Sequence, residues 1–484
     1  MTRDPWRRAR EKNRRSPRTS SPETAELPLQ SFLTSGRMLA WYALQQHDLT
    51  GRFLSDVLSE ADARHNLSRQ KRGQAVDLVS GVVRRRRTID TLLESQISRP
   101  RANVEAELWR LLQLGVYQVV FSRTPDHAAV DTIVELTKAA GCPRWAGFAN
   151  GVLRNVLRLM TGQMQSEVGA DRVPIGDGSF LELNQPVFPN PDDNLGEYIG
   201  RAFSLPQSLA TRWSARYSIS DLLKVCSYSL RIPKMTLRVN RLVVSVDEVL
   251  QAFSEAEISA DSAMNSSALR IENAARIAEL PGYRQGHWTV QDESAMRASE
   301  LLAPQPRESI LDLCAAPGGK TTHLAELSGD NATVVACDVA DHRLARIEES
   351  CERLNLTSVE TVLVDRDGTD VPDGPFDAVL VDVPCSNTGV LARRPEARWR
   401  FSDEDLNELV QIQMKLLVSA FERVRPGGRI VYSTCSIEPE ETSSLVATAT
   451  ASLPGLRLEK QQLFQPGEIG DGAFQALLRR DGDA

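Results

Sequence analysis

Residues 309–322 read Ser-Ile-Leu-Asp-Leu-Cys-Ala-Ala-Pro-Gly-Gly-Lys-Thr-Thr, and this stretch decides the fold of the carboxyl-terminal half. Ser309 to Leu313 is a short apolar run suited to a buried strand, and Gly318-Gly319 then opens a helical segment. Glycines at such a turn let backbone approach a ligand with no Cβ in the way, and a helix start offers unbonded N–H groups. The stretch is not a nucleotide phosphate loop, because Cys314 stands where that loop needs its first glycine. Asp338 closes a second β-rich run 19 residues past Gly319, where an acidic group takes a ribose hydroxyl pair, so a nucleoside-containing cofactor is expected. Asp365, ending a third run, is placed to meet the adenine side, its alternative reading being a solvated carboxylate.

Outward from this loop, Thr333–Cys337, Thr361–Val364, Phe376–Val381 and Gly428–Tyr432 are β-rich runs separated by helical segments. That alternation predicts βαβ units on a parallel sheet, an α/β Rossmann-like domain over 291–484. Before it, 196–290 mixes a helical stretch around Leu209 to Tyr228 with β-prone Met235–Val239 and Leu269–Ile271, a small α+β unit. The Pro-rich segment 166–195 reads as a linker. From 30 to 165 the periodicity is helical, with Leu108, Leu111, Leu112, Val116, Val119 and Val120 on one face, and five to seven helices are expected. Residues 1–27 carry eight Arg or Lys among Ser, Pro and Thr and read as a disordered basic arm.

The composition of the 484-residue chain fits this plan. Its 41% apolar and 25% charged residues are those of a soluble globular protein of two or three domains, and its net charge of −7 means that any RNA contact must come from local basic patches. Apolar runs stop far short of a membrane span, and no Cys/His cluster has metal-ligand spacing. Seven scattered cysteines indicate no disulfide framework and fit a reducing cytoplasm.

Two of those cysteines carry the chemistry. Phe376 to Asp382 is a buried-strand pattern that delivers Asp382-Val383-Pro384-Cys385-Ser386 to the carboxyl edge of the sheet, and the next strand delivers Ser433-Thr434-Cys435-Ser436 to the same edge. A thiolate is the nucleophile that cytosine chemistry needs, since carbon 5 of a pyrimidine is unreactive until a nucleophile adds at carbon 6. Asp382 is the candidate to stabilise the charge that develops near ring nitrogen 3. Residue chemistry alone leaves open which cysteine attacks. A lone buried cysteine is ordinarily a small hydrophobe, and Cys142, Cys226, Cys337 and Cys351 take that reading. His323 and His342 read as helix-surface polarity.

With these motifs the run from Val290 to Thr442 resembles the Sun/Fmu (RsmB) group of S-adenosylmethionine-dependent RNA cytosine C5-methyltransferases. Asp312 to Lys320 is similar to its cofactor loop, Asp382 to Ser386 to its proline-cysteine motif, and Thr434-Cys435 with Glu440-Glu441 to its thiol motif. The resemblance implies Cys435 as nucleophile and Cys385 as the thiol that helps release the product, whereas in DNA cytosine methyltransferases the proline-cysteine thiol attacks. It carries over Cys314, Ala315, Ala316, Pro317, Gly318, Gly319, Lys320, Asp338, Asp365 and Asp382 as contacts to S-adenosyl-L-methionine. Leu114 to Gln118, His127 to Val130 and Ala149 to Arg154 resemble the NusB-like RNA-binding domain, which contains the basic run Arg84-Arg85-Arg86-Arg87; phosphate contact is expected of these four. The implied substrate is a cytosine of small-subunit (16S) ribosomal RNA, met by a monomer without metal or membrane. Transfer RNA as substrate, and a non-catalytic RNA-binding assembly factor, are the alternatives. Asn387 departs from the usual Gly or Ala, Arg393 to Glu396 lacks a common His, and Thr442 replaces a frequent Asn.

Overall fold

A computed structural model describes residues 35–65, 68–272, 277–365 and 370–482. The basic arm expected at 1–27 lies outside the described residues. The chain divides into two compact units, Met1–Arg231 and Ile232–Ala484.

The first unit opens with α1 (Gly36–Thr50), α2 (Leu54–His65), α3 (Arg69–Arg84), α4 (Arg86–Gln96), α5 (Ala106–Phe121), α6 (Asp126–Ala139) and α7 (Ala146–Leu159). Ser35 caps α1 by accepting the Met38 N–H, and Gly51 ends it in the left-handed region at φ 67°. The helices bury the periodic face seen in the sequence, including Leu108, Leu111, Leu112 and Val116. A three-stranded antiparallel sheet follows, β1 (Met160–Gln165), β2 (Arg172–Pro174) and β3 (Phe180–Leu183), in the order β1-β3-β2. Residues 166–195 therefore hold two strands where a linker was expected. The prolines misled because Pro174 closes β2 and the others follow β3, positions where a missing N–H interrupts no ladder. Then come α8 (Leu195–Ala202), α9 (Gln207–Arg216) and α10 (Ile219–Ser229), the last two split by the Ser218 cap where one helical stretch was expected. The boundary between compact units falls inside the span 196–290, because α8 docks on α4: Thr88 Oγ1 donates to the Ala202 carbonyl and the Arg87 N–H to Ser204.

The second unit begins as an antiparallel sheet with a covering helix: β4 (Met235–Val239), α11 (Val246–Glu255), β5 (Ala260–Ser262), β6 (Ala268–Ile271) and β7 (Trp288–Val290), in the order β5-β6-β4-β7. A reciprocal cap between Ser245 and Glu248 starts α11, which lays Phe253 against Trp288. The remainder is α12 (Glu293–Leu302), β8 (Ser309–Asp312), α13 (Gly319–Leu327), β9 (Thr333–Asp338), α14 (Asp341–Leu354), β10 (Val359–Leu363), β11 (Phe376–Asp382), α15 (Asp403–Arg423), β12 (Val424–Thr434), α16 (Ser443–Ser452), β13 (Leu456–Phe464) and β14 (Ala473–Arg480). Seven strands run in the order β10-β9-β8-β11-β12-β14-β13. The first five are parallel, as the alternation predicts, and β14 and β13 add an antiparallel edge. From β8 the chain moves outward one way through β9 and β10, then returns to place β11 on the other side. The carboxyl ends of β8 and β11 thus flank the switch in strand order, where open α/β sheets bind ligands.

Candidate active site

Strand register brings the site together. Asp312 and Leu380 are partners across β8 and β11, and Asp382 and Ser433 across β11 and β12, so the loops after these strands leave the sheet side by side. The Val383 N–H reaches the Ser433 carbonyl at 3.0 Å, extending the pairing one residue toward Cys385.

In the glycine loop, Gly318 sits at φ 98° and the Ala315 N–H is held by the Cys337 carbonyl at 3.0 Å. A side chain at Gly318 would be strained by that φ and would press on Ile347. Asp338 accepts the Ala316 N–H at 3.2 Å, and Arg343 pairs with Asp338 at 3.1 Å while donating to the Ala316 carbonyl at 2.9 Å. Beneath the loop, buried Asp312 accepts from Thr321 at 2.7 Å through one oxygen; the other has no hydrogen-bond partner. Burial raises its pKa to about 7. Burial and the neighbouring carboxylates push the Cys314 thiol far up, so Cys314 serves the loop through its backbone. His323, read as surface polarity, is buried, and burial lowers its pKa, keeping the ring neutral.

Lys320, in the first turn of α13, bonds Asp382 Oδ2 at 2.7 Å, and Ser433 donates to Asp382 Oδ1 at 3.0 Å. Burial works against the Lys320 charge, yet the Asp382 carboxylate outweighs it and the ammonium pKa is raised. Beyond them Cys385 Sγ and Cys435 Sγ lie 3.0 Å apart. The Cys385 contact and burial push the Cys435 thiol well above the ordinary range, while Arg394 pulls the other way. Glu441 stitches the two loops: it accepts from the Ser386 N–H at 2.9 Å, from the Ser386 hydroxyl and from Gln413 at 2.8 Å.

The structure thus joins the loop Cys314 to Lys320 with Asp338, Asp382, Cys385 and Cys435. Asp365 stands exposed just past β10. Arg84 and Arg85 are buried, which corrects the expectation of phosphate contact for those two. Arg85 donates to the Pro174 carbonyl at 2.7 Å and also to the Ile175 carbonyl, satisfying backbone acceptors at the end of β2. Arg86 bonds Asp48 and Arg87 bonds the Leu205 carbonyl and Gln207.

Arg238 was not singled out by the sequence reading. Fully buried on β4, it pairs with Glu326 through two bonds of 2.7 and 2.9 Å, and it donates to Thr322 Oγ1 at 3.0 Å, the Gly319 carbonyl at 2.6 Å and Gln291. It thereby ties the small antiparallel sheet to the first turn of α13. Alternation within Met235–Val239 marks its face of the strand but not its partners, which are 53 to 88 residues away in the chain.

Three family descriptions match the chain: the NusB family over residues 34–158, an RsmF/B-like ferredoxin-like domain over 205–278, and 16S rRNA methyltransferase RsmB/F over 299–479. A relative from Synechocystis sp., named probable ribosomal RNA small subunit methyltransferase B, is 34% identical over 419 residues, covering 86% of this chain and 88% of its own. One from Proteus mirabilis, named ribosomal RNA small subunit methyltransferase B, is 33% identical, covering 92% and 98%. The crystal structure of PH0851 shares the fold at a TM-score of 0.72 and 23% identity, covering 94% of this chain and 99% of that one. Among the described residues no helix is long and apolar enough to cross a membrane, and no cluster of His, Cys, Asp and Glu is suited to a metal ion.

Proposed function

The chain belongs to the family of ribosomal RNA small subunit methyltransferase B, and from that premise we propose that it methylates carbon 5 of a cytosine in 16S ribosomal RNA, using S-adenosyl-L-methionine and a covalent bond from Cys435 to carbon 6. The observation that carries this reading is the contact of two thiols, 3.0 Å apart, beside Asp382 at the switch point of the sheet.

The residues present fit the cofactor. The left-handed turn at Gly318 keeps side chains out of the loop, Asp338 offers a carboxylate to the ribose hydroxyls, and the unpartnered oxygen of Asp312 lies under the loop. Ala315 to Lys320, Asp338 and Asp382 would hold it, with Asp365 on the adenine side. S-adenosylmethionine supplies an electrophilic methyl group on a sulfonium, and the chain's own residues do the rest.

Cys435 gives up its proton and its sulfur adds to carbon 6, which makes carbon 5 an enamine-like nucleophile. Asp382, held at its two oxygens by Lys320 and Ser433, hydrogen-bonds the proton that ring nitrogen 3 takes up as the sulfur adds, and that proton cancels the negative charge that develops on the ring. Once carbon 5 has taken the methyl group, with S-adenosylhomocysteine as the leaving group, a base takes the carbon 5 proton, the electrons of that C–H bond restore the double bond between carbons 5 and 6, and Cys435 leaves as thiolate, with Cys385 assisting from contact distance. The target base must be unstacked, because carbons 5 and 6 are not open to covalent attack within a helix.

Transfer of labelled methyl to unmodified 16S RNA, and separately to transfer RNA, tests this. Cys435→Ala is expected to abolish transfer and Cys385→Ala to accumulate a covalent protein–RNA adduct. An adduct that survives Cys435→Ala and is lost in Cys385→Ala reverses the assignment; tight RNA binding without transfer by wild type favours an assembly factor.

A further inference from the structure

Asn387 lies between the two cysteine loops, and no step above uses it. Its backbone is left-handed, φ 61° and ψ 24°, a region that asparagine tolerates better than other side chains. Its carboxamide meets the Cys435 sulfur and the Cys385 backbone. Nδ2 donates to the Cys385 carbonyl at 2.8 Å. Oδ1 accepts from the Cys435 thiol at 3.4 Å and from Nη1 of Arg394 at 3.2 Å. Both ends agree on the orientation, the amide nitrogen facing an acceptor and the oxygen facing two donors. On the far side the Gly389 N–H holds the Cys435 carbonyl at 3.0 Å, so backbone and side chain of the cysteine are both restrained.

We propose that Asn387 and Arg394 form a positioning pair for Cys435, with Arg394 acting on the thiol through the Asn387 carboxamide. The inference rests on the reading of Cys435 as the nucleophile. An amide oxygen at the sulfur stabilises S–H and opposes thiolate, because its partial negative charge faces the ionising atom. A guanidinium on that same oxygen withdraws the charge and favours ionisation. The pair therefore holds the resting thiol aimed at one acceptor while limiting how hard it is to deprotonate. Other groups face this sulfur: Cys385 from the loop after β11, Asp382 from the end of that strand and Lys320 from α13. Arg394, exposed at the mouth of the site, is the cation that lowers the Cys435 pKa.

The test follows the pH dependence of Cys435 alkylation by iodoacetamide, read by mass spectrometry of the peptide that carries it, in full-length protein with Cys385→Ser throughout. Arg394→Met, at an exposed position, is expected to raise the midpoint by about half a pH unit. Asn387→Gly keeps the left-handed turn and removes the carboxamide; in that background Arg394→Met is expected to move the midpoint by less than ~0.2 units. An unmoved midpoint in Arg394→Met overturns the proposal. So does an equal shift with and without Asn387, which would make Arg394 a charge acting through space. The readout needs no methyl transfer, so a failed nucleophile assignment shows up separately, as transfer that survives Cys435→Ala.

Discussion

Replacing Arg238 with Met removes one partner of a buried pair and leaves Glu326, itself almost fully buried, without a counter-charge. Breaking such a pair costs about 3–5 kcal/mol, most of it the penalty of the stranded charge. For a unit of this size each kcal/mol lowers the melting temperature by about 2–4 °C, so a drop of roughly 6–20 °C is expected in the transition of the second unit. Glu326→Leu alone strands the guanidinium and should cost a similar amount. The double variant removes both charges, and its loss should fall well short of the sum, by about 2 kcal/mol or more. It will not return fully to wild type, because the bonds from Arg238 to Gly319 and Thr322 are gone, each contributing about 1 kcal/mol. Thermal and urea unfolding of the four proteins gives the cycle, with hydrogen exchange of α13 locating the change. Additive losses would show that Arg238 and Glu326 do not depend on one another and would refute the argument.

Asp312 makes stability depend on pH. Unfolded it ionises near 3.9 and folded near 7, so across that window the folded state keeps a proton that the unfolded state has lost, and stability falls as pH rises from about 4 to about 7. The total is on the order of 4 kcal/mol, and Asp312→Asn, which can still accept from Thr321, should flatten this part of the profile in pH-dependent denaturation. Asp338→Asn is expected to weaken S-adenosylmethionine binding by roughly 10- to 100-fold in calorimetry, from the loss of charge-assisted bonds to the ribose; unchanged affinity would place the ribose elsewhere. Arg85→Met should lower the melting temperature of the first unit and leave the salt dependence of RNA binding unaltered, since its guanidinium serves the Pro174 and Ile175 carbonyls; a reduced salt slope would restore a phosphate role.

What the sequence disclosed follows from how locally each feature is determined. The runs at Ser309, Thr333, Phe376 and Gly428 each carry their own apolar pattern and turn residues, and the strands observed there differ from the expected ones by a few residues at most. Asp382 and Cys435 could be placed at one edge because parallel strands on a shared sheet deliver their carboxyl ends together. β2 and β3 escaped notice because they are short and their prolines resemble linker punctuation, although Val173, Phe180 and Leu183 are buried. The hairpin of β13 and β14 was missed for another reason: an edge such as Leu456–Phe464, exposed at all but its ends, has little hydrophobic alternation to read. Arg84 and Arg85 misled because a run of charges reveals nothing of its partners, and those of Arg85 lie some 90 residues on. Arg238 acts through contacts of that same long-range kind, and Asn387 reaches the Cys435 sulfur 48 residues on.

The pairing of Asp382 with Ser433 acts as a ruler for the chemistry. Cys385 lies three residues past the one mark and Cys435 two past the other, and this small offset brings sulfurs 50 residues apart in the chain into contact. A pyrimidine displaced by little more than that contact distance meets the opposite sulfur, with the sheet, the glycine loop and Asp382 unmoved. On the proposed mechanism, which thiol attacks is therefore set by the few side chains around the pair.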